Sequence, residues 1–217
     1  MKYKIWNDSN ESVPTVFIHS FVGNGEDVWK AAHEMGCPPF NLVSIYDFDG
    51  DGDLSPWEAE NIWKGQPPFG GHADVHLQEI IEQLVPEVEA GLPAPPSYLA
   101  MAGYSLAGLF TCWSCWYTSI FRRIACVSSS FWYPGFIDFI STHPMDTLPD
   151  AVYFSLGDRE SKTKHPLMQQ VEERTQQVVD WVKAHHIPTV FEMNPGNHFK
   201  DSDKRTARGI QWLLTQP

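Results

Sequence analysis

A chain of 217 residues suits one domain over 1–217, large enough to bury roughly 70% of its unfolded surface without a disulfide or metal scaffold. Its composition, 42% hydrophobic and 13% aromatic with no repeat or low-complexity tract, is that of a globular protein and argues against disorder. The 27 acidic and 15 basic residues give a formal charge of −12, which disfavours nucleic acid and anionic membranes as partners, since both are polyanions.

The opening MKYKIWNDSN has no apolar signal-like run, and no stretch approaches the ~18 to 20 apolar residues of a membrane span, so a cytoplasmic protein is expected. Cys37, Cys112, Cys115 and Cys126 read as reduced thiols. The Cys112-x-x-Cys115 pair falls inside an expected helix, where core packing is favoured over redox chemistry.

In chain order, short apolar runs alternate with helical patterns. Strands are expected at 13–19, 41–47, 97–103, 123–129, 151–157 and 187–193, with helices near 26–35, 73–90, 106–120, 135–142, 166–185 and 201–215. Strands that are apolar throughout belong to a parallel sheet covered on both faces, and the alternation predicts a three-layer α/β fold of about six mostly parallel strands. In such sheets ligands bind beyond the carboxyl ends of the strands. Candidate site residues therefore follow the strands: Ser20 and Phe21, Trp57, Ser105 and Leu106, Phe131 and Trp132, Asp158 and Glu160, and His198.

Gly103-Tyr104-Ser105-Leu106-Ala107 ends an apolar strand and opens an apolar helix, matching the nucleophile elbow G-x-S-x-G with alanine for the second glycine. Small residues are needed because the turn brings strand and helix close together. Leu106, at the helix N-terminus, and Ser20 or Phe21, after the first strand, offer backbone N–H groups to an oxyanion. His198 stands in a turn-rich loop after the last strand, placed to act as general base. Asp158 and Glu160 both stand after the penultimate strand, and Glu160 is favoured to orient His198 because two further residues extend its reach. The order Ser, acid, His is that of the α/β-hydrolase fold.

The segments Gly103–Gly108, Asp53-Leu54-Ser55-Pro56-Trp57, Gly157-Asp158-Arg159-Glu160 and Asn194–Asp201 together resemble the esterase D and enterobactin-esterase-like branch of the α/β hydrolases, and more closely a group of small bacterial members. The resemblance implies hydrolysis of carboxylic esters, with Ser105 and His198 as the reacting pair. No cofactor or metal is expected, and a small-molecule ester is the expected substrate. An acyltransferase with the same residues, or a non-catalytic binder on this fold, are the alternatives.

Three other features bear on function. Asp47 to Glu58 matches the EF-hand loop as a string, but a strand precedes it and Pro56 interrupts it, so an acidic active-site loop with Trp57 lining the pocket is preferred over calcium. His72 and His76 have ligand spacing but lack the Glu of H-E-x-x-H. Only about twenty residues separate Ser129 from the next strand, too few for a lid domain, and Phe131 and Trp132 are expected to line an open pocket there.

Overall fold

The computed structural model describes residues 1–217. The first half runs β1 (Lys2–Trp6), β2 (Thr15–His19), α1 (Glu26–Glu34), β3 (Asn41–Tyr46), α2 (Gly50–Asp53), β4 (Glu58–Ala59), β5 (Phe69–Gly70), α3 (Ala73–Glu79) and α4 (Val85–Gly91), with a π turn at Ile80–Leu84 between the last two. The second half runs β6 (Leu99–Tyr104), α5 (Leu106–Ser114), β7 (Phe121–Val127), α6 (Phe136–Thr142), β8 (Ala151–Gly157), α7 (Val171–Ala184), β9 (Thr189–Asn194) and α8 (Ser202–Leu214).

The sheet has seven strands in the order β1-β3-β2-β6-β7-β8-β9, six of them parallel. The seventh, β1, is antiparallel to β3 and corrects the expected count of about six. Its residues Lys2 to Ile5 alternate exposed and half-buried side chains, the pattern of an edge strand with one face to water, before Trp6 packs on Trp29. Lys2 and Lys4 blunt that edge against further pairing. The expected helix over 73–90 is present but contains the π turn, because Pro86 has no N–H to return to the turn before it and the wider turn accommodates its ring.

Helices α1 and α8 cover one face of the sheet through Val28, Ala31, Ala32, Ala207, Ile210 and Leu213. The other face is covered by α3, α4, α5, α6 and α7 over the larger core, in which Phe17, Phe110, Trp113 and Phe154 are buried. All nine residues of α5 are buried, which explains an apolar sequence without an amphipathic stripe. From β2 the chain steps to β3 on one side and then back to β6 on the other. The strand order thus reverses between β2 and β6, and a crevice opens at their carboxyl ends. The connection from β7 to β8 holds only α6. No helix is long and apolar enough to cross a membrane.

Candidate active site

Ser105 occupies the turn from β6 into α5 with φ 59° and ψ −122°, a strained conformation for a residue bearing a Cβ. The surrounding backbone holds it there: its N–H donates to the Val127 carbonyl at 3.0 Å, and its carbonyl accepts from the N–H groups of Ser130 and Gly108, each at 3.0 Å. A Cβ on Gly103 would fall on the Ala107 carbonyl, and one on Gly108 would fall on the Ser129 hydroxyl. Both positions therefore require glycine by close approach. Ala107 is fully buried, and its methyl group fits where the motif has its second glycine.

From the loop after β9, His198 presents Nε2 to Ser105 Oγ at 2.9 Å and Nδ1 to Glu160 Oε2 at 2.7 Å. Of the two candidate carboxylates, Glu160 is thus the one that reaches the imidazole. Asp158 is exposed and accepts the Gly196 N–H at 2.7 Å, which shapes the histidine loop from outside. Glu160 Oε1 accepts from the Gly157 N–H (2.6 Å), Ser128 Oγ (2.7 Å) and Arg205 Nη1 (3.1 Å). Burial works to raise the Glu160 carboxyl. The hydrogen bond and charge of His198, with the Ser128 and Gly157 donors, outweigh it and hold the group below the usual carboxylate range. Tyr104 adds a further restraint, its hydroxyl donating to the His198 carbonyl at 2.5 Å.

The Ser20 N–H donates to the Ile45 carbonyl at 2.8 Å as the parallel ladder continues past β2, so it is not free for an oxyanion. This narrows the expected Ser20-or-Phe21 donor to Phe21, whose N–H has no partner within the protein. Leu106 is the first residue of α5 and lacks an intrahelical acceptor for its N–H. The two free N–H groups stand after adjacent strands, β2 and β6.

Ser105, Leu106 and His198 line a cleft of about 200 Å³ together with Phe21, Ser130 and Trp132. Phe131, expected beside them, instead points into the core, 1% exposed and stacked on Phe136 at 5.5 Å. The chain turns tightly at Ser130–Tyr133, so consecutive side chains diverge. Trp57 likewise stays out of the cleft: its indole N–H donates to the Pro134 carbonyl at 2.8 Å and its ring packs on Phe139. The outer wall comes from residues not singled out in the sequence, namely Ile62 and Trp63 between β4 and β5, Met168 ahead of α7, and Phe199. Trp63 and Phe199 are more than half exposed, a signal that only a folded surface can give.

The acidic loop does not gather its carboxylates. Asp47 pairs with Lys2 at 2.8 Å, Asp51 accepts from Asn61 at 2.9 Å, and Asp53 accepts the Asp49 N–H at 3.0 Å, across the short helix α2. No three His, Cys, Asp or Glu side chains converge on a point that could hold a metal. His76 turns away from His72 and meets His19 Nε2 to Nε2 at 2.9 Å in the interior. Burial lowers both of these imidazoles from their ordinary value, His19 most, and the pair is held neutral among Phe48 and Phe110.

No family model matches the chain. An uncharacterised protein of Bacillus subtilis (strain 168), YbbA, is 24% identical over 212 residues, covering 92% of this chain and 85% of the relative. An IroE-like serine hydrolase from Shewanella oneidensis superposes with TM-score 0.81 at 16% identity, over 98% of this chain and 75% of that one. The siderophore hydrolase EstB of Aspergillus nidulans superposes at 0.71 with 20% identity, over 97% and 86%. For the enterobactin esterase FES of Shigella flexneri the values are 0.74 and 16%, over 97% and 54%. These likenesses establish the α/β-hydrolase fold.

Proposed function

We propose that the protein is a serine hydrolase of small carboxylic esters, acting through an acyl-enzyme on Ser105. What carries the proposal is one unbroken line of contacts: Ser105 Oγ to His198 Nε2 at 2.9 Å, and His198 Nδ1 to the buried Glu160 at 2.7 Å. The strained elbow, the two free N–H groups of Phe21 and Leu106, and the likeness to proteins described as serine and siderophore hydrolases and an enterobactin esterase support it.

His198 takes the Ser105 proton as Oγ attacks the ester carbonyl. The oxyanion that forms accepts hydrogen bonds from Phe21 and Leu106, whose N–H groups are fixed before the charge develops. Glu160 keeps the imidazole in the Nδ1–H tautomer and stabilises the imidazolium. The imidazolium then protonates the departing alkoxide, and the alcohol leaves. Water, deprotonated by His198, attacks the acyl-enzyme and releases the acid with Ser105 restored. Four unpaired cysteines suit a reducing compartment, and the cytoplasm is the proposed setting.

Labelling by a fluorophosphonate probe tests the proposal. The wild-type protein should be labelled covalently and Ser105→Ala should not. A folded wild type that stays unlabelled and cleaves no ester would sink the assignment.

A further inference from the structure

On the far side of His198 the cleft continues into a trough along residues 159–168 and 197–200, sharing Trp63, Met168, His198 and Phe199 with the space above Ser105. Its charge is opposite to that of the protein. The chain carries 27 acidic and 15 basic residues, yet the trough is lined by Arg159, Lys162, Lys164 and Lys200 with one carboxylate, Glu160. That carboxylate is turned inward, with both oxygens engaged by His198, Arg205, Ser128 and the Gly157 N–H.

None of the four cations is held in a close ion pair. Lys162 and Lys164 have no carboxylate within ion-pair distance, and the contacts of Arg159 to Asp158 (3.8 Å) and Lys200 to Asp201 (4.0 Å) are at its limit. His165 lines the same trough and leaves its buried Nδ1 without a partner. The opposite end of the cleft differs: it has apolar walls in Ile62, Phe69 and Trp132, and its one charged residue is acidic, Asp51.

The side of the trough identifies which half of an ester it would meet. In the proposed reaction the imidazolium at His198 Nε2 protonates the leaving oxygen, so the alcohol half lies toward His198 and the acyl half toward the apolar end. We infer that the preferred substrates are esters whose alcohol half carries an anionic group, such as acylated hydroxy acids, held by Arg159, Lys162, Lys164 and Lys200 while a small neutral acyl group occupies the apolar end. This rests on the esterase proposal and adds the substrate class. Hydrolysis then releases the acid and an anionic alcohol, and its proton inventory is unchanged, because no trough residue gives or takes a proton.

The test compares the acetate ester of 4-hydroxybenzoate with that of its methyl ester, each kcat/KM divided by the hydroxide-catalysed rate to remove leaving-group reactivity. An exposed charge contributes a factor of roughly 1.5 to 5 per interaction, so several together should favour the anionic ester by about tenfold at low salt. That preference should shrink at high salt and fall to about twofold in Lys162→Gln/Lys164→Gln or Arg159→Gln/Lys200→Gln. An anion on the acyl half, as in 4-nitrophenyl hemisuccinate compared with the butyrate, should gain nothing. Equal rates for the two benzoate-derived acetates, or a preference untouched by both double variants, would overturn the inference and leave the esterase proposal standing. If no ester is cleaved and Ser105 is not labelled, both fall.

Discussion

Replacing Glu160 by glutamine changes one atom, and the surroundings dictate how that atom is placed. Three donors converge on Oε1, from Gly157, Ser128 and Arg205, so the amide oxygen must take that position. The amide nitrogen then faces His198 Nδ1 in place of Oε2 and donates to it. His198 is left with its proton on Nε2, directed at Ser105, and can no longer accept the hydroxyl proton. A wrong tautomer of this kind costs about 10⁴-fold in kcat, or on the order of 5.5 kcal/mol of transition-state stabilisation. Glu160 also faces the buried Arg205, 4% exposed, and removing one partner of such a pair destabilises by roughly 3–5 kcal/mol. Activity should therefore be measured with p-nitrophenyl acetate well below the melting temperature of the variant, with circular dichroism confirming the fold. Asp158→Asn is the control: its amide oxygen can still accept the Gly196 N–H, and activity should stay within severalfold. A folded Glu160→Gln within tenfold of wild type would refute the reasoning, and a larger loss in Asp158→Asn would move the role to that residue.

Gly103→Ala should destabilise by about 1–3 kcal/mol and abolish fluorophosphonate labelling, since its Cβ would meet fixed backbone at Ala107. Gly108→Ala should be milder, because the Ser129 hydroxyl it meets first can rotate away and the fixed Gly103 carbonyl, at 2.8 Å, is a looser approach than that of Gly103 to Ala107; the reverse ranking in thermal melts would count against close packing at the elbow. His19 and His76 are held neutral in the fold by burial. Above about pH 6.5 they are neutral in the unfolded chain too, whereas below it only the unfolded chain binds protons, and stability falls by up to ~1.4 kcal/mol per pH unit per histidine. Urea midpoints should therefore drop from pH 7 to 5.5 in the wild type, with a shallower slope in His76→Gln; equal slopes would remove the pair as the cause. The depressed Glu160 carboxyl adds a second loss at lower pH, because its contribution is present above the ordinary carboxylate pKa and disappears as pH falls through its folded value. A cleft of about 200 Å³ without a lid domain should cleave p-nitrophenyl acetate and butyrate much faster than the palmitate, with no rate jump above the solubility limit; preference for emulsified long chains would contradict an open cleft.

Much of this architecture is written locally along the chain. Val16 to Ile18, Ala100 to Ala102 and Val152 to Phe154 are buried on both faces of the sheet, and a strand so placed has to be predominantly apolar, which is why its sequence can be read without its neighbours. The elbow is partly legible for a similar reason: Gly103 answers to Ala107 and Gly108, within five residues of chain, whereas Gly108 answers first to Ser129 beyond β7. The order of Ser105, acid and His198 follows from the strands they terminate. What the sequence left open was decided by contacts between distant segments. Glu160 and Asp158 are two residues apart, and besides the local Gly157 N–H it is the distant His198, Arg205, 45 positions away on α8, and Ser128 beyond β7 that draw Glu160 inward. Ser20 and Phe21 are equivalent as strings until the pairing of β2 with β3 consumes the Ser20 N–H. Phe131 and Trp57 are aromatic residues of the right type in the right loops, yet packing against Phe136 and Phe139 turned them away, while Trp63, Met168 and Phe199 came forward. The difference is physical. Burial on both faces and close backbone approach restrict residue type at each position by itself, whereas the direction of a loop side chain depends on which long-range partner satisfies it, and that partner exists only once the chain has folded.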